Sequence, residues 1–459
     1  MVVLSRMIQS LNPATGEVIK VFKPDSPQEV EKKLARAFLT YQTWRKKSLN
    51  ERIKLVKKLG AQLTKNKSYY AGLAMTEMGR PYKDSLSEIE KSISVCNFYA
   101  KNAKKFLKEE IIQTEATKSY VQYDPIGVVL GIMPWNYPFT QVFRCMISLL
   151  LAGNTFVLKH ASNVPQCGIA IEELFDLCKF PKGVMTNLLV ESKNVDSVIA
   201  DDRISAVTVT GSEKTGSIVA SIAGKHLKKS VLELGGSDAF IVLADADLEH
   251  TVRQAVIART INGGQSCNSP KRFILHKEIA KEFVDAFVRQ AQKLTVGDPM
   301  DMHTDIGPIA REDLRDRLDL QVKDSIKKGA KLLLGGTKIK GKGYFYPLTI
   351  VTNVKKGMPL FDEEVFGPVA VFITVENDDE ALRVANDTHL GLSASIWTAY
   401  PERVHHFTYE LHVGLVFINQ AVRSDVRLPY GGVKKSGYGR ELGRYGILEF
   451  TNIKSIVIK

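Results

Sequence analysis

Three short apolar runs do most to restrict how this chain can fold. Gly127-Val128-Val129-Leu130-Gly131-Ile132 ends at Met133-Pro134-Trp135-Asn136, Thr155-Phe156-Val157-Leu158 ends at Lys159, and Ala206-Val207-Thr208-Val209-Thr210 ends at Gly211-Ser212. Each is too short for a buried helix and rich in the β-branched and large apolar residues that fill strands. Continuous rather than alternating apolarity describes strands covered on both faces. Strands of that kind interleaved with helices make a parallel sheet, whose ligand-binding turns lie at the strand carboxyl ends. The turn Gly211-Ser212 with Gly216 departs from the GxGxxG pattern, yet it follows a strand and opens a helix. Amide groups at a helix start suit a pyrophosphate.

At 459 residues the chain exceeds one ordinary core, so two or three domains are expected. Before the strands come a turn, Asn12-Pro13-Ala14-Thr15-Gly16, and helical spacing over residues 30–45, 51–65 and 85–103. Residues 111–123 alternate as a hairpin does. The tail, 450–459, alternates Ile453, Ile456 and Ile458 as an exposed strand in need of a partner.

Lysine and arginine total 63 against 50 acidic residues, a net charge of +13. A positive field favours anions. The lysines are dispersed, however, and no basic tract carries interleaved aromatics, so nucleic acid is not an expected partner. Five cysteines without a CxxC pair fit reduced thiols rather than a disulfide framework or zinc site. Residues 1–6 are too poor in apolar side chains for a signal peptide, and the longest apolar run, 145–151, cannot span a bilayer. A soluble, cytoplasmic protein without membrane partners or bound metal is the expectation.

Two segments suggest chemistry. In Asn262-Gly263-Gly264-Gln265-Ser266-Cys267-Asn268 a thiol follows paired glycines, between helix-like spacing over 251–261 and the strand-like Arg272-Phe273-Ile274-Leu275-His276. A lone cysteine is usually a small core hydrophobe; polar neighbours on a bend make a nucleophile the alternative. In Val231-Leu232-Glu233-Leu234-Gly235-Gly236 a carboxyl lies between leucines. If it points inward rather than to solvent, desolvation raises its pKa toward the range of a general base.

These segments occur in order with Pro134-Trp135-Asn136-Tyr137-Pro138, Lys159, Glu364-Val365-Phe366-Gly367-Pro368 and Gly431-Gly432-Val433-Lys434-Lys435-Ser436-Gly437. The ordered set resembles the aldehyde dehydrogenase superfamily over nearly the whole chain, and within it the succinate-semialdehyde dehydrogenases. The resemblance implies an α/β fold with a Rossmann-type cofactor domain (1–108 and 126–234), an α/β catalytic domain (235–430) and a small β oligomerisation element (109–125 and 445–459). It also implies a homodimer or homotetramer. Cys267 would attack the aldehyde to give a thiohemiacetal, with Asn136 and the Cys267 amide stabilising the oxyanion. Hydride transfer to the nicotinamide would leave a thioester, and Glu233 would activate the water that hydrolyses it.

The resemblance further assigns Lys159 to the adenosine ribose, Gly211 and Ser212 to the pyrophosphate, Glu364 to the nicotinamide ribose, and Phe366 and Trp135 to the cleft beside the ring. NAD-specific relatives commonly carry glutamate three residues after that lysine. Here Ser162 removes a carboxylate that would repel a 2′-phosphate, which favours NADP with NAD use still possible. Arg144 matches a substrate-binding arginine, its alternative being an internal ion pair. A second arginine expected six residues before the cysteine is Ile261 here, leaving Arg259 nearby and Ser424 as further substrate candidates. The small acidic aldehyde succinate semialdehyde is the expected substrate. A broad-specificity or glutarate-semialdehyde enzyme, and a catalytically idle dinucleotide-binding relative, are the alternatives.

Overall fold

The computed structural model describes residues 7–459. Residues 1–6, read above as unlike a signal peptide, lie outside the described residues. Four helices, Pro27–Trp44, Leu49–Lys65, Lys67–Met78 and Tyr82–Phe106, precede the main sheets. Three of them begin two or three residues ahead of the apolar spacing that announces them. Ser26 with Glu29 and Ser48 with Glu51 form capping boxes, which satisfy the first free amides before any apolar residue is needed. The fourth, Lys67–Met78, buries Tyr70, Ala71, Ala74 and Met78 but has almost no charged face to contrast with them.

The first large sheet has six strands in the order Gly437–Tyr438, Lys229–Glu233, Ile204–Thr210, Val128–Met133, Thr155–His160 and Met185–Asn187. All pair in parallel except Gly437–Tyr438, which runs antiparallel to Lys229–Glu233 with Gly437 opposite Glu233. One face packs on the amino-terminal helices through Trp44, Val56, Tyr99, Phe143 and Phe156. The other buries Leu34, Val128, Leu130, Val157 and Val207. The helix Thr140–Ala152 is buried along its whole length, which explains its nearly unbroken apolar sequence and makes Arg144 conspicuous.

The second large sheet runs Lys331–Leu334, Thr349–Thr352, Val369–Val375, Arg272–His276, Ala239–Val242, Ser393–Trp397 and Leu415–Ile418. Its core strands send alternate residues to opposite faces. Phe240, Phe273 and Phe372 build one core, while Ile241, Ile274 and Ile373 build the other. The boundary drawn at 234/235 falls in the turn between the two sheets. The segment after residue 430, however, returns to the edge of the first sheet beside Glu233.

A third, antiparallel sheet contains Thr451–Ile458, Lys118–Pro125 and Glu110–Ile112. The tail strand therefore finds a partner within its own chain, along its full length, and keeps one open edge. Among the described residues no helix is long and apolar enough to cross a membrane.

Candidate active site

The cysteine segment is shaped by three successive left-handed residues. The helix Leu248–Thr260 stops, and Asn262, Gly263 and Gly264 follow at φ 53°, 60° and 71°. A Cβ on Gly264 would collide with the Gly367 carbonyl, so only glycine fits that turn. Asn262 tolerates its conformation while its Nδ2 donates to the Asn136 carbonyl at 2.8 Å and the Gln265 carbonyl at 3.1 Å. Asn136 Nδ2 donates to the same Gln265 carbonyl at 3.1 Å. The fully buried Lys271 donates from Nζ to the Ser266 carbonyl at 2.9 Å and to the Cys267 carbonyl. So fastened, the loop leaves Cys267 half-buried, whereas the other four cysteines are fully enclosed.

Two cavities meet at that thiol. One of about 560 Å³ is lined by Trp135, Asn136, Lys159, Ser162, Gly211, Ser212, Glu364 and Phe366, together with Cys267. Every residue the resemblance assigns to the cofactor thus faces one space. A second cavity of about 270 Å³ takes in Cys267, Arg144, Ser424, Lys91, Arg423 and Tyr430. Gln141 lines both.

The larger cavity fits a dinucleotide. Ser212 caps the helix Glu213–Lys225, its Oγ accepting from the Thr215 amide at 3.3 Å, and the helix start borders the cavity. Burial holds the Lys159 ammonium below its ordinary pKa, and no carboxylate among the described residues pairs with it. An incoming anion would supply the missing partner. Glycine at 235 lets the Glu364 carboxylate approach a position that a Cβ would occupy, and Glu364 accepts from the Gly236 amide at 3.1 Å. Trp135 and Phe366 meet edge to face with centroids 5.8 Å apart, offering an apolar wall.

Behind the thiol lies a buried charge cluster. Arg144 pairs through Nε with Glu441, and its guanidinium carbon lies 4.3 Å from the Tyr430 ring centroid. The Tyr430 hydroxyl is 3.6 Å from Cys267 Sγ. Burial opposes the Arg144 charge, but Glu441 and Tyr430 more than offset it and hold its pKa above the ordinary value. Glu233, only 2 % exposed, keeps its proton well above the usual carboxylate range because it is buried and because Glu441 is near. Its Oε1 has no hydrogen-bond partner among the described residues. Burial also raises the Cys267 thiol, against the pull of Lys271 and Arg144. Among the described residues no group of three or more His, Cys, Asp and Glu side chains gathers as metal ligands would.

Residues 3–456 match the aldehyde dehydrogenase family. The chain belongs to that family. It is 45 % identical to a probable NADP⁺ succinate-semialdehyde dehydrogenase of Synechocystis, covering 98 % of this chain and 99 % of the relative. Identity is 42 % to the NAD(P)⁺ succinate semialdehyde dehydrogenase Sad of Escherichia coli K12, covering 97 % of each. The crystal structure of a succinic semialdehyde dehydrogenase from Streptococcus pyogenes with NADP⁺ superimposes with a TM-score of 0.96 at 35 % identity, over 98 % of this chain and 99 % of that one.

For this aldehyde dehydrogenase one expected substrate contact needs correction. Arg259 is fully buried and lines neither cavity. Its guanidinium donates to Pro270 O at 2.7 Å, Ser269 Oγ at 3.1 Å, Val365 O at 3.3 Å and the Gly367 carbonyl, which ties the cysteine loop to the Glu364 segment. Arg144 combines both of its alternatives, since it forms an internal ion pair and also lines the smaller cavity. Glu233 sits behind the larger cavity rather than on its wall, one residue before the lining Leu234. Sequence reasoning passed over Lys271, Tyr430 and Glu441. Lys271 alone carried a usable signal, a lysine four residues after the thiol and immediately before the strand Arg272–His276.

Proposed function

We propose that this protein oxidises succinate semialdehyde to succinate with NADP as the preferred electron acceptor. One observation carries the reading. Cys267 stands at the junction of a cavity suited to a dinucleotide and a smaller cavity bordered by Arg144, Lys91 and Arg423. The names of the relatives, NADP⁺ succinate-semialdehyde dehydrogenases among them, agree with it.

In this mechanism Cys267 Sγ bonds to the aldehyde carbon. The oxyanion accepts hydrogen bonds from the Cys267 amide and from Asn136 Nδ2, whose other N–H is already held by Gln265 O. When bound, the dinucleotide supplies the hydride acceptor, with Glu364 at its ribose, Lys159 and Ser162 at the adenosine end, and Ser212 at the phosphates. Glu233 removes a proton from the water that attacks the thioester carbon, and the carbon–sulfur bond breaks to release the acid and the Cys267 thiolate. Tyr430, Lys271 and Arg144 stabilise that thiolate through a hydrogen bond and positive charge.

The open edge of Thr451–Ile458 is read as the pairing edge for a second copy, giving a homodimer or homotetramer that works in the cytoplasm. The decisive test is initial rates with succinate semialdehyde and butanal, each with NADP and NAD. A strong preference for the acidic aldehyde with NADP is expected. Equal rates on both aldehydes would leave a broad-specificity enzyme, and no rate on either an idle relative.

A further inference from the structure

Lys91 belongs to the helix Tyr82–Phe106 and lines the smaller cavity together with Cys267, Arg144 and Arg423. It is half-buried, and no carboxylate among the described residues forms a salt bridge with it. The adjacent acid, Glu90, pairs with Lys67 at 2.7 Å, and Glu88, one turn away, is already committed. Its Oε2 accepts from Arg80 at 3.0 Å, and its Oε1 accepts from the amides of Phe139 at 2.8 Å and Thr140 at 3.0 Å. Arg80 and Arg423 add positive charge around Lys91 and Glu88 and Asp84 negative charge; burial and then Arg80 prevail and hold its pKa below the ordinary value. A half-buried ammonium that no carboxylate pairs with directly is unfavourable unless an anion joins it.

Arg144 is in a different position. Its charge is balanced by Glu441 and spread over the Tyr430 ring, so it brings little uncompensated charge to the cavity. Gln141, on the wall shared by both cavities, has a buried side-chain oxygen with no partner among the described residues. The cavity therefore joins a thiol, an amide oxygen without a partner and one ammonium without a salt bridge among the described residues.

We propose that Lys91 is a specificity-determining residue that binds the carboxylate of an acidic aldehyde while the aldehyde carbon lies at Cys267. The inference rests on the acidic-aldehyde reading above and names the residue that enforces it. Ser424 and Arg423 border the same cavity and complete a polar wall for the carboxylate.

The test compares full-length wild type, Lys91→Met and Lys91→Arg with NADP, each on succinate semialdehyde and on butanal. In Lys91→Met, KM for succinate semialdehyde should rise by at least about tenfold with kcat nearly unchanged. KM for butanal should stay the same or fall, and Lys91→Arg should recover most of the loss. Inhibition by succinate, competitive with the aldehyde, should weaken in parallel. If wild type prefers the acidic aldehyde and Lys91→Met keeps that preference, the assignment of Lys91 is overturned while the acidic-aldehyde reading stands. Equal losses on both aldehydes would make Lys91 a structural residue and also overturn it. A wild type indifferent to the carboxylate would remove the reading itself.

Discussion

Cys267, Glu233 and Arg259 show how far a residue's type predicts its work. Replacing the thiol in Cys267→Ala should abolish turnover and leave NADP binding intact, as read by quenching of protein fluorescence. Glu233→Gln should keep the first burst of NADPH but slow steady-state turnover by about 10²–10⁴-fold, because only deacylation needs the base. In wild type that step should accelerate as pH rises through a Glu233 pKa lying above its ordinary 4.5. The stability consequence has the opposite sense. A carboxyl whose pKa is raised by folding contributes its full stability below 4.5 and loses it as pH climbs through the folded value. Thermal melts of Glu233→Gln should therefore lose less stability over that window than wild type does. Arg259→Met would leave several buried carbonyls without donors, so about 3 kcal/mol or more of stability should vanish. Its KM for the aldehyde should hold steady in whatever fraction remains folded.

Among the elements, the cysteine loop and the tail strand differ in how they are secured. The loop is held by side chains that capture its carbonyls, from Asn136, Asn262, Arg259 and Lys271. Those donors come from three stretches of chain, and periodicity on any one of them cannot reveal the meeting. The tail strand is secured by backbone pairing, with Thr451 opposite Pro125 and Ile458 opposite Lys118. Its alternating isoleucines announced a strand, and Ile453, Val457 and Ile458 remain exposed in one chain. Ending the chain at Phe450 should strip Lys118–Pro125 of one of its two neighbours and, on the proposed assembly, lower the sedimentation coefficient. An unchanged coefficient would place the subunit contact elsewhere.

Across the whole molecule, the larger cavity draws Lys159 from the end of a first-sheet strand, Ser212 from the turn after another, and Glu364 and Phe366 from the segment before the second sheet's Val369–Val375. NADP at 100 times its Kd should stabilise the protein by about 2.7 kcal/mol, measurable as a rise in Tm. Ser162→Glu places a carboxylate where a 2′-phosphate would lie, so kcat/KM with NADP should fall by at least about tenfold while NAD is spared. The net charge of +13 favours the arrival of either anion without selecting between them.

The sequence by itself determined the parallel strands, the bend that presents Cys267 and the turns that border the large cavity, while the inward placement of Glu233 came from the fold. The first three are local matters of apolar runs, glycines and strand ends. Only the tertiary structure decided the work of the charged side chains. Arg144 and Glu441 are 297 positions apart, and Arg259 reaches carbonyls more than 100 positions away. A guanidinium or ammonium carries the same formal charge wherever it lies. Its role depends on which oxygen atoms the fold leaves within reach, and for Lys91 no carboxylate among the described residues comes within salt-bridge distance.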